Sequence, residues 1–417
     1  MTAAAPAPRA ARPAALVFIF ITVLIDVLAF GLIIPVLPHL IEGFVGGDTV
    51  TAAQWVGVFG TVFAAIQFVS APVQGALSDR YGRRPVILLS CLGLGLDFVF
   101  MALANSLPWL LVGRMISAVT SASFTTANAY IADVTSPEKR AQSFGLIGAA
   151  FGLGFIIGPA LGGWLGSVDL RAPFWAAAVL ALVNFAYGLF VLPESLPPER
   201  RTPTLVWRQA NPFAAFARLR RYPQVLGLAS VVLLINFAHY VYPSVFVLFA
   251  DVRYGWGPQA VGGVLALVGV MSVIVQAVLV RRAVARLGER RTLLIALGMG
   301  ALGTVGYAFA PTGAWFIAII PITALWGMAT PATQALITRR VGADEQGRVQ
   351  GALSSLVSLA GIVAPAVFTG VFAFFIDERA PVHAPGAPFA LAGVCLAIAW
   401  WLARRHAPRP DAPADAH

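Results

Sequence analysis

Charged residues are scarce in this chain. Only 11% of its 417 residues are Asp, Glu, Lys or Arg, whereas 59% are hydrophobic. A soluble domain of this length carries more charge, since about 25% is usual in globular proteins. The composition therefore excludes an ordinary soluble protein and indicates a membrane protein.

Cysteine and histidine are also rare. Cys91 and Cys395 lie inside separate apolar runs and are interpreted as small buried hydrophobic residues, not as a disulfide or a metal pair. No His-rich or Cys-x-x-Cys cluster occurs in the sequence, so we expect no metal site and no cofactor. The net charge of +10 is spread over many short loops, which argues against nucleic-acid binding.

Twelve apolar runs come close to the ~20 residues that a helix needs to cross a bilayer. They lie at about 14–37, 51–74, 85–104, 108–132, 141–167, 173–192, 224–249, 258–280, 291–310, 314–338, 349–375 and 386–403. We therefore predict an all-α membrane protein with twelve transmembrane helices in two pseudo-symmetric six-helix bundles. The predicted segments are a disordered cytoplasmic tail (1–13), the N-terminal bundle (14–192), a cytoplasmic linker (193–222), the C-terminal bundle (223–403) and a cytoplasmic tail (404–417).

The basic residues orient the chain. With both termini in the cytoplasm, 24 of the 28 arginines and lysines lie in cytoplasmic segments, as the positive-inside rule predicts. The two halves also resemble each other, because Gly82 with its two following arginines has a counterpart in Gly288, Arg290 and Arg291. Such a repeat implies two bundles around a central cavity.

A dense polar motif, GALSDRYGRR, fills residues 75–84 between the second and third runs. Its glycines permit a tight turn, and Asp79 can cap a helix or pair with an arginine. An ordinary basic loop is the alternative interpretation. The order G-x-L-x-D-R-x-G-R-R resembles the loop between helices 2 and 3 of the major facilitator superfamily, which makes these residues a candidate gating motif: Gly75, Asp79, Arg80, Gly82, Arg83 and Arg84.

Ionisable residues within the apolar runs are few: Asp26 in the first, Asp97 in the third, Arg114 in the fourth and His239 in the seventh. An ionised group at mid-membrane costs about 2.5–3.5 kcal/mol, so such residues are functional candidates. The alternatives stay open at this point. Asp26 could be a structural cap near a kink, Asp97 and Arg114 a structural ion pair, and His239 a polar residue satisfied by a neighbour.

The fifth run contains the pattern G-x-x-x-G-P-x-x-G-G, formed by Gly154, Gly158, Pro159, Gly162 and Gly163. Small residues at this spacing let another helix pack closely. The full pattern resembles the span-5 motif of the drug–proton antiporters within the superfamily.

Most of both halves resembles the bacterial tetracycline–proton antiporters, through stretches such as IDVLAFGLIIPVLPHLI, YIADVTS, VLPESL and RYGWGPQAVG. The resemblance implies that Asp26, Asp97 and Arg114 take part in proton coupling. It also implies a cytoplasmic latch in which Arg83 pairs with Asp133 and Asp79 faces the start of span 11.

The C-terminal half departs from that family. Its members have a histidine in span 8 and an aspartate in span 9, where this chain has Ser272 and Gly300. Glutamines of span 7 are replaced by Phe237 and Val241. The proton machinery of the first half therefore matches the family, whereas the second half of the cavity does not.

These features predict a proton-coupled drug exporter of the bacterial inner membrane that works by alternating access and is expected to function as a monomer. Its partners would be protons, the lipid bilayer and a small amphipathic drug such as a tetracycline, either alone or as a metal chelate. Spans 1, 4, 7 and 10 would line the cavity, with six polar candidates: Asn128, Asn236, His239, Tyr240, Trp326 and Gln334. The alternatives are an exporter of another drug or metabolite with no tetracycline activity, and a proton-coupled importer. A membrane enzyme or receptor would need a catalytic constellation or a soluble domain, and the sequence shows neither.

Overall fold

The computed structural model describes residues 13–120, 123–135, 140–202, 223–342 and 345–407. Within these ranges the regular secondary structure is helical and contains no β-strand. Most of both predicted tails and residues 203–222 of the predicted linker lie outside the described residues.

The helices before the linker form spans 1 to 6. Span 1 consists of α1 and α2, span 4 consists of α5 and α6, and the other four spans are single helices. The bounds are α1 (Pro13–Ile33), α2 (Leu37–Phe44), α3 (Thr49–Tyr81), α4 (Arg83–Leu103), α5 (Leu107–Thr120), α6 (Ser123–Val134), α7 (Arg140–Val168) and α8 (Ala172–Val191).

The helices after the linker form spans 7 to 12. Span 7 is α9 with α10, spans 8 and 9 run from α11 to the end of α12, span 10 is α13 with α14, and α15 and α16 are spans 11 and 12. The bounds are α9 (Pro223–His239), α10 (Val241–Tyr254), α11 (Pro258–Ile274), α12 (Val280–Phe309), α13 (Gly313–Ala324), α14 (Ala329–Thr338), α15 (Gln346–Ile376) and α16 (Ala387–His406).

This order confirms the predicted all-α membrane fold. Among the described residues, ten helical stretches are long and apolar enough to cross a membrane. One of them, Pro258–Phe309, holds both span 8 and span 9, because a non-helical kink at Gly288 divides α12. Span 4 is built from the shorter helices α5 and α6, which completes the set of twelve.

Spans 1 and 7 are each interrupted by a break between two helices. In span 1 the helix is lost over residues 34–36. In span 7 the helix breaks at Tyr240, between α9 and α10. Pro243 explains this second break, because proline has no backbone N–H to donate to the carbonyl four residues earlier, that of His239.

Span 10 is interrupted by a 3₁₀ turn at Leu325–Met328. Pro331 follows and leaves the carbonyl of Gly327 without its helical donor. The side-chain amide of Gln276, in a π-helical turn at Val275–Leu279 between α11 and α12, approaches that carbonyl at 3.5 Å. Single π-helical turns of this kind often occur at functional sites.

The described chain forms two compact units. The first contains the residues up to Val36 and those from Ile66 to the linker, and the second contains Leu37–Ala65 and spans 7 to 12. The second unit has an aromatic core, in which the rings of Tyr307 and Phe316 stack with centroids 4.0 Å apart.

Large apolar side chains also remain on the outside of the spans. Phe190 is 84% exposed, Val168 79% and Phe309 74%. Such surfaces are unfavourable in water but suit the hydrocarbon interior of a bilayer. This pattern agrees with a multi-pass membrane protein.

Candidate functional site

The turn between spans 2 and 3 is a single residue. Helix α3 continues to Tyr81, α4 begins at Arg83, and Gly82 lies between them with a φ of 104°. Most of the motif that the sequence predicted as a turn is therefore helical. The difference has a simple cause: one glycine in a positive-φ conformation is enough to redirect the chain.

Arg83, which is largely buried, is the centre of a polar network at this turn. Its side chain is only 11% exposed, and its Nε lies 3.1 Å from Asp133 Oδ2 at the end of span 4. Its Nη1 donates to the carboxylate of Asp79 and, at 2.6 Å, to Ser78 Oγ. A guanidinium between two carboxylates ties the end of span 2 to the end of span 4 through charge-assisted hydrogen bonds.

The other motif residues lie around this network. Arg80 stacks on the ring of Tyr81, with 5.1 Å from the guanidinium carbon to the ring centroid. Arg84 donates to the carbonyl of Leu189 at 2.8 Å, which links span 3 to the end of span 6. The carbonyl of Gly75 accepts a hydrogen bond from Ser78, and a Cβ at Gly75 would meet no atom within 4 Å.

Glu194 completes the turn. Its Oε1 accepts a hydrogen bond from the backbone N–H of Arg83 at 2.9 Å, and its Oε2 accepts one from the N–H of Arg84 at 3.3 Å. A carboxylate at the N-terminus of α4 satisfies backbone donors and is favoured by the helix dipole. Arg201 lies 3.7 Å from the same carboxylate.

The matching turn in the second half of the chain is closed by a group of opposite charge. Gly288 has a φ of 75°, like Gly82 at the corresponding place. Arg290 then donates to the carbonyls of Arg404 and Ala407 at 3.0 and 3.2 Å. A cation thus binds the C-terminus of α16, where the helix dipole favours positive charge.

Asp26 lies in the interior of the first unit and is 3% exposed. Its Oδ1 accepts a hydrogen bond from Asn184 Nδ2 in span 6 at 3.2 Å. The same amide lies 3.3 Å from the carbonyl of Thr22 and 3.6 Å from the sulfur of Cys91 in span 3. A carboxylic acid is therefore held at the junction of spans 1, 3 and 6.

Asp97 and Arg114 form a second buried polar group, 1% and 8% exposed. Arg114 and Ser117, both on α5, are neighbours of the Asp97 carboxylate on α4, whose two oxygens accept no hydrogen bond from the described residues. Gly113 permits the approach, because a Cβ at that position would lie 3.1 Å from Asp97 Oδ1.

The glycine motif of span 5 packs against span 1. A Cβ on Gly158 would lie 2.8 Å from Gly31 Cα and 2.9 Å from the carbonyl oxygen of Leu28. A Cβ on Gly154 would lie 2.8 Å from the Cβ of Val27, directly after Asp26. The two helices are therefore in backbone-to-backbone contact beside the buried acid.

The other three motif residues follow the same face. A Cβ on Gly162 would overlap the backbone of Leu32, and Pro159 lies 3.0 Å from the place where a Cβ of Gly31 would be. Gly163 is also buried. The contact of α7 with α1 thus runs along the whole motif.

A cavity of about 310 Å³ lies within the second unit, between spans 7, 10 and 11. Two of the predicted cavity residues, Asn236 and Gln334, line it. Gln350 donates from Nε2 to Gln334 Oε1 at 2.8 Å, and Asn236 donates to the carbonyl of Val232 at 2.8 Å. The lining is uncharged, with hydroxyl and amide groups set among apolar side chains: Val232, Ile235, Asn236, Thr330, Thr333, Gln334, Gln350, Leu353, Ser354, Val357 and Ser358.

Three other predicted cavity residues lie near the breaks in spans 7 and 10. The His239 ring contacts Trp326, with centroids 5.7 Å apart, and Tyr242, at 5.8 Å. The hydroxyl of Tyr240 lies against Gly361 of span 11. Asn128, the sixth predicted residue, is exposed on α6.

Trp326 fills the space beside Gly300. A Cβ on Gly300 would lie 2.9 Å from Trp326 Cγ, so an aspartate would not fit here without moving the indole. Ser272 is exposed and donates to the carbonyl of Val268 on its own helix at 2.8 Å. At the neighbouring departures, Phe237 packs on Phe368 and Val241 is fully buried.

Sequence reasoning missed three site residues: Asn184, Glu194 and Gln350. Glu194 had a signal, since only two acids, Glu194 and Glu199, lie between span 6 and the first linker arginine. Asn184 and Gln350 are neutral polar residues within or near apolar runs, and nothing in their local pattern separates them from ordinary helix residues.

Comparison with known proteins identifies the family of this chain. Residues 19–365 match the Major Facilitator Superfamily. The tetracycline resistance protein of class C from Escherichia coli is 40% identical over 359 residues, which cover 86% of this chain and 90% of that protein. The class G protein from Vibrio anguillarum is 38% identical, with 84% of this chain and 88% of that protein covered.

A solved structure has the same fold. The human organic anion transporter MFSD10 (TETRAN) superposes with a TM-score of 0.69 at 24% identity, over 94% of this chain and 100% of that one. The chain therefore belongs to the Major Facilitator Superfamily, in the group that contains the tetracycline resistance proteins.

Proposed function

We propose that this chain is a proton-coupled efflux transporter that exports a small amphipathic drug, such as a tetracycline, by alternating access. The observation that carries the proposal is Asp26, an acid within span 1 that is 3% exposed and hydrogen-bonded to Asn184. Membership of a transporter superfamily supports the class of activity.

The mechanism follows from the cost of a buried charge. An ionised carboxylate in the membrane interior costs about 2.5–3.5 kcal/mol, and taking up a proton removes that charge. Asp26 would hold a proton in one access state and release it in the other. Asn184 is a neutral donor, so it can orient the carboxylate without neutralising it.

The packing of α7 on α1 supports a transmission step. Because Gly158 contacts the backbone of α1 at Leu28 and Gly31, a change at Asp26 that moves α1 must also move α7. Asp97 and Arg114 supply a second buried carboxylate, with a guanidinium beside it, on spans 3 and 4. The network of Arg83, Asp79 and Asp133 serves as a latch that must open and close in each cycle.

The transported drug is proposed from the relatives, whose names include tetracycline resistance. Protons are the coupling partner, and a drug carried as a metal chelate remains within the proposal. The protein is proposed to reside in the bacterial inner membrane with both termini in the cytoplasm and to act as a monomer. Its 24 basic residues in the segments assigned to the cytoplasm support that orientation.

A second candidate is an exporter of another drug, with tetracycline a poor substrate. One observation favours it: Trp326 occupies the space beside Gly300, where the tetracycline–proton antiporters have an aspartate. A rise in tetracycline resistance that depends on this protein would favour the first candidate. Resistance to other compounds, without resistance to tetracycline, would favour the second.

The test uses purified protein in vesicles with an imposed pH gradient. Asp26→Asn preserves size and polarity but cannot carry a proton, so we expect it to abolish uphill accumulation while some substrate binding remains. Asp26→Glu should retain part of the activity with a shifted pH optimum. If the asparagine variant still drives accumulation against a gradient, Asp26 is structural and Asp97 becomes the first proton candidate. Transport in everted vesicles separates an exporter from an importer.

A further inference from the structure

Three side chains with metal-binding atoms meet at the end of span 1 and the end of span 7. His39 and Glu42 are on α2, three residues apart and thus on the same face of that helix. Asp251 reaches them from α10. The Nδ1 atom of His39 lies 3.8 Å from Glu42 Oε2 and 4.0 Å from Asp251 Oδ2, and the three ligand atoms all lie within 4.8 Å of one another.

We propose that His39, Glu42 and Asp251 bind a divalent transition-metal cation that joins α2 to α10. In a tetrahedral site with metal–ligand distances near 2.1 Å, neighbouring ligand atoms are about 3.4 Å apart. The observed separations are slightly larger, so small side-chain rotations would close the site around one cation. Both helices belong to the same compact unit.

The charges of the cluster favour a cation. Two carboxylates, those of Glu42 and Asp251, face the single imidazole of His39. Both acids are partly shielded from water, with side chains 16% and 37% exposed. A divalent cation would neutralise both acids where water screens their repulsion less than on an open surface.

Neighbouring groups hold the ligands in place. The hydroxyl of Thr49 donates to Glu42 Oε1, which leaves Oε2 directed at His39. Such contacts orient a ligating carboxylate before the metal binds. The polar neighbours of His39 in the cluster lie on the Nδ1 side of its ring, and the other ring nitrogen, Nε2, is buried without a hydrogen-bond partner among the described residues.

The ligand types indicate which metal would bind. One imidazole nitrogen and two carboxylate oxygens suit Zn²⁺, Co²⁺ or Mn²⁺, whereas Mg²⁺ and Ca²⁺ prefer oxygen ligands alone. Three protein ligands leave one position of a tetrahedral ion for water. This site is separate from the proton-coupling residues, and the inference does not depend on the proposed function.

The test is zinc binding to the full-length protein, purified in detergent without an affinity tag and stripped with EDTA. Calorimetric titration with ZnCl₂ should give one tight site per chain. His39→Ala, Glu42→Gln and Asp251→Asn should each weaken this binding by more than about 100-fold, and Thr49→Val by about 10- to 100-fold. Cobalt should give the absorption of a four-coordinate ion with the unaltered protein and lose it with each ligand variant.

Two controls separate this site from other histidines. His383→Ala alters an exposed residue of the loop before α16, and the double variant His406→Ala, His417→Ala removes the histidines near the C-terminus. Both should bind zinc like the unaltered protein. Binding should also raise the thermal midpoint of the unaltered protein but not that of Glu42→Gln. The proposal is overturned if zinc does not bind, or if it binds equally well to all three ligand variants.

Discussion

Gly158→Ala should disturb the contact between α7 and α1 more than any surface substitution of the same kind. The added methyl group would lie 2.8 Å from Gly31 Cα and 2.9 Å from the carbonyl oxygen of Leu28. Both are backbone atoms, so a side-chain rotation cannot relieve the overlap and α1 must move away.

The free-energy cost of this overlap can be measured against a matched control variant. Overpacking of this kind costs about 1–3 kcal/mol, whereas replacing a helical glycine with alanine gains up to ~1 kcal/mol of helix propensity. Gly148 is on the same helix, and a Cβ there would meet no atom within 4 Å. Gly148→Ala has the same propensity gain without the overlap, so the difference between the two variants isolates a clash of about 1–3 kcal/mol.

The assay has two readouts. Thermal unfolding in detergent should place the midpoint of Gly158→Ala below that of Gly148→Ala. Transport per unit of membrane-inserted protein should fall in Gly158→Ala alone, because α1 carries Asp26. Equal midpoints and equal transport in the two variants would refute the close packing of these helices.

Three further predictions concern the turns. Glu194→Gln should destabilise the start of α4 by about 1 kcal/mol, since a charge at a helix N-terminus is lost, and the unfolding midpoint measures this; an unchanged midpoint would mean that the cap is unimportant. Asp79→Asn should slow export with little loss of folded protein in the membrane, and near-normal export would count against the latch. Gly82→Ala should be more destabilising than Gly288→Ala: both strain a positive φ, but only at Gly82 would a Cβ also meet the Glu194 carboxylate. Equal losses of thermal stability would contradict that difference.

Much of the fold follows from sequence because a membrane span must be long and apolar. The repeat could be recognised from the sequence because both turns need a positive φ, a conformation that favours glycine, and Gly82 and Gly288 adopt it. The boundaries were less accurate at polar positions. Residues 75–81 are polar enough to suggest a turn, yet they continue α3, because a helix that leaves the membrane loses no backbone hydrogen bonds.

Only part of the arrangement of the candidate sites could be predicted from the sequence. The resemblance implied that Arg83 pairs with Asp133, and the structure brings these two side chains together. No local pattern joins Asp26 to Asn184 or His39 to Asp251, which are far apart in sequence and meet only through helix packing. The sequence does not indicate a metal site, because its histidines and cysteines are few and are not clustered along the chain.

The two matching turns have a further consequence through the chemistry of their closing groups. The first is held by carboxylates, those of Asp79, Asp133 and Glu194, which accept hydrogen bonds from N–H groups. The second is held by the guanidinium of Arg290, which donates to carbonyl oxygens. The first turn is therefore closed by negatively charged acceptors and the second by a positively charged donor, so two halves that share a backbone turn differ in the sign of the charge that fastens it.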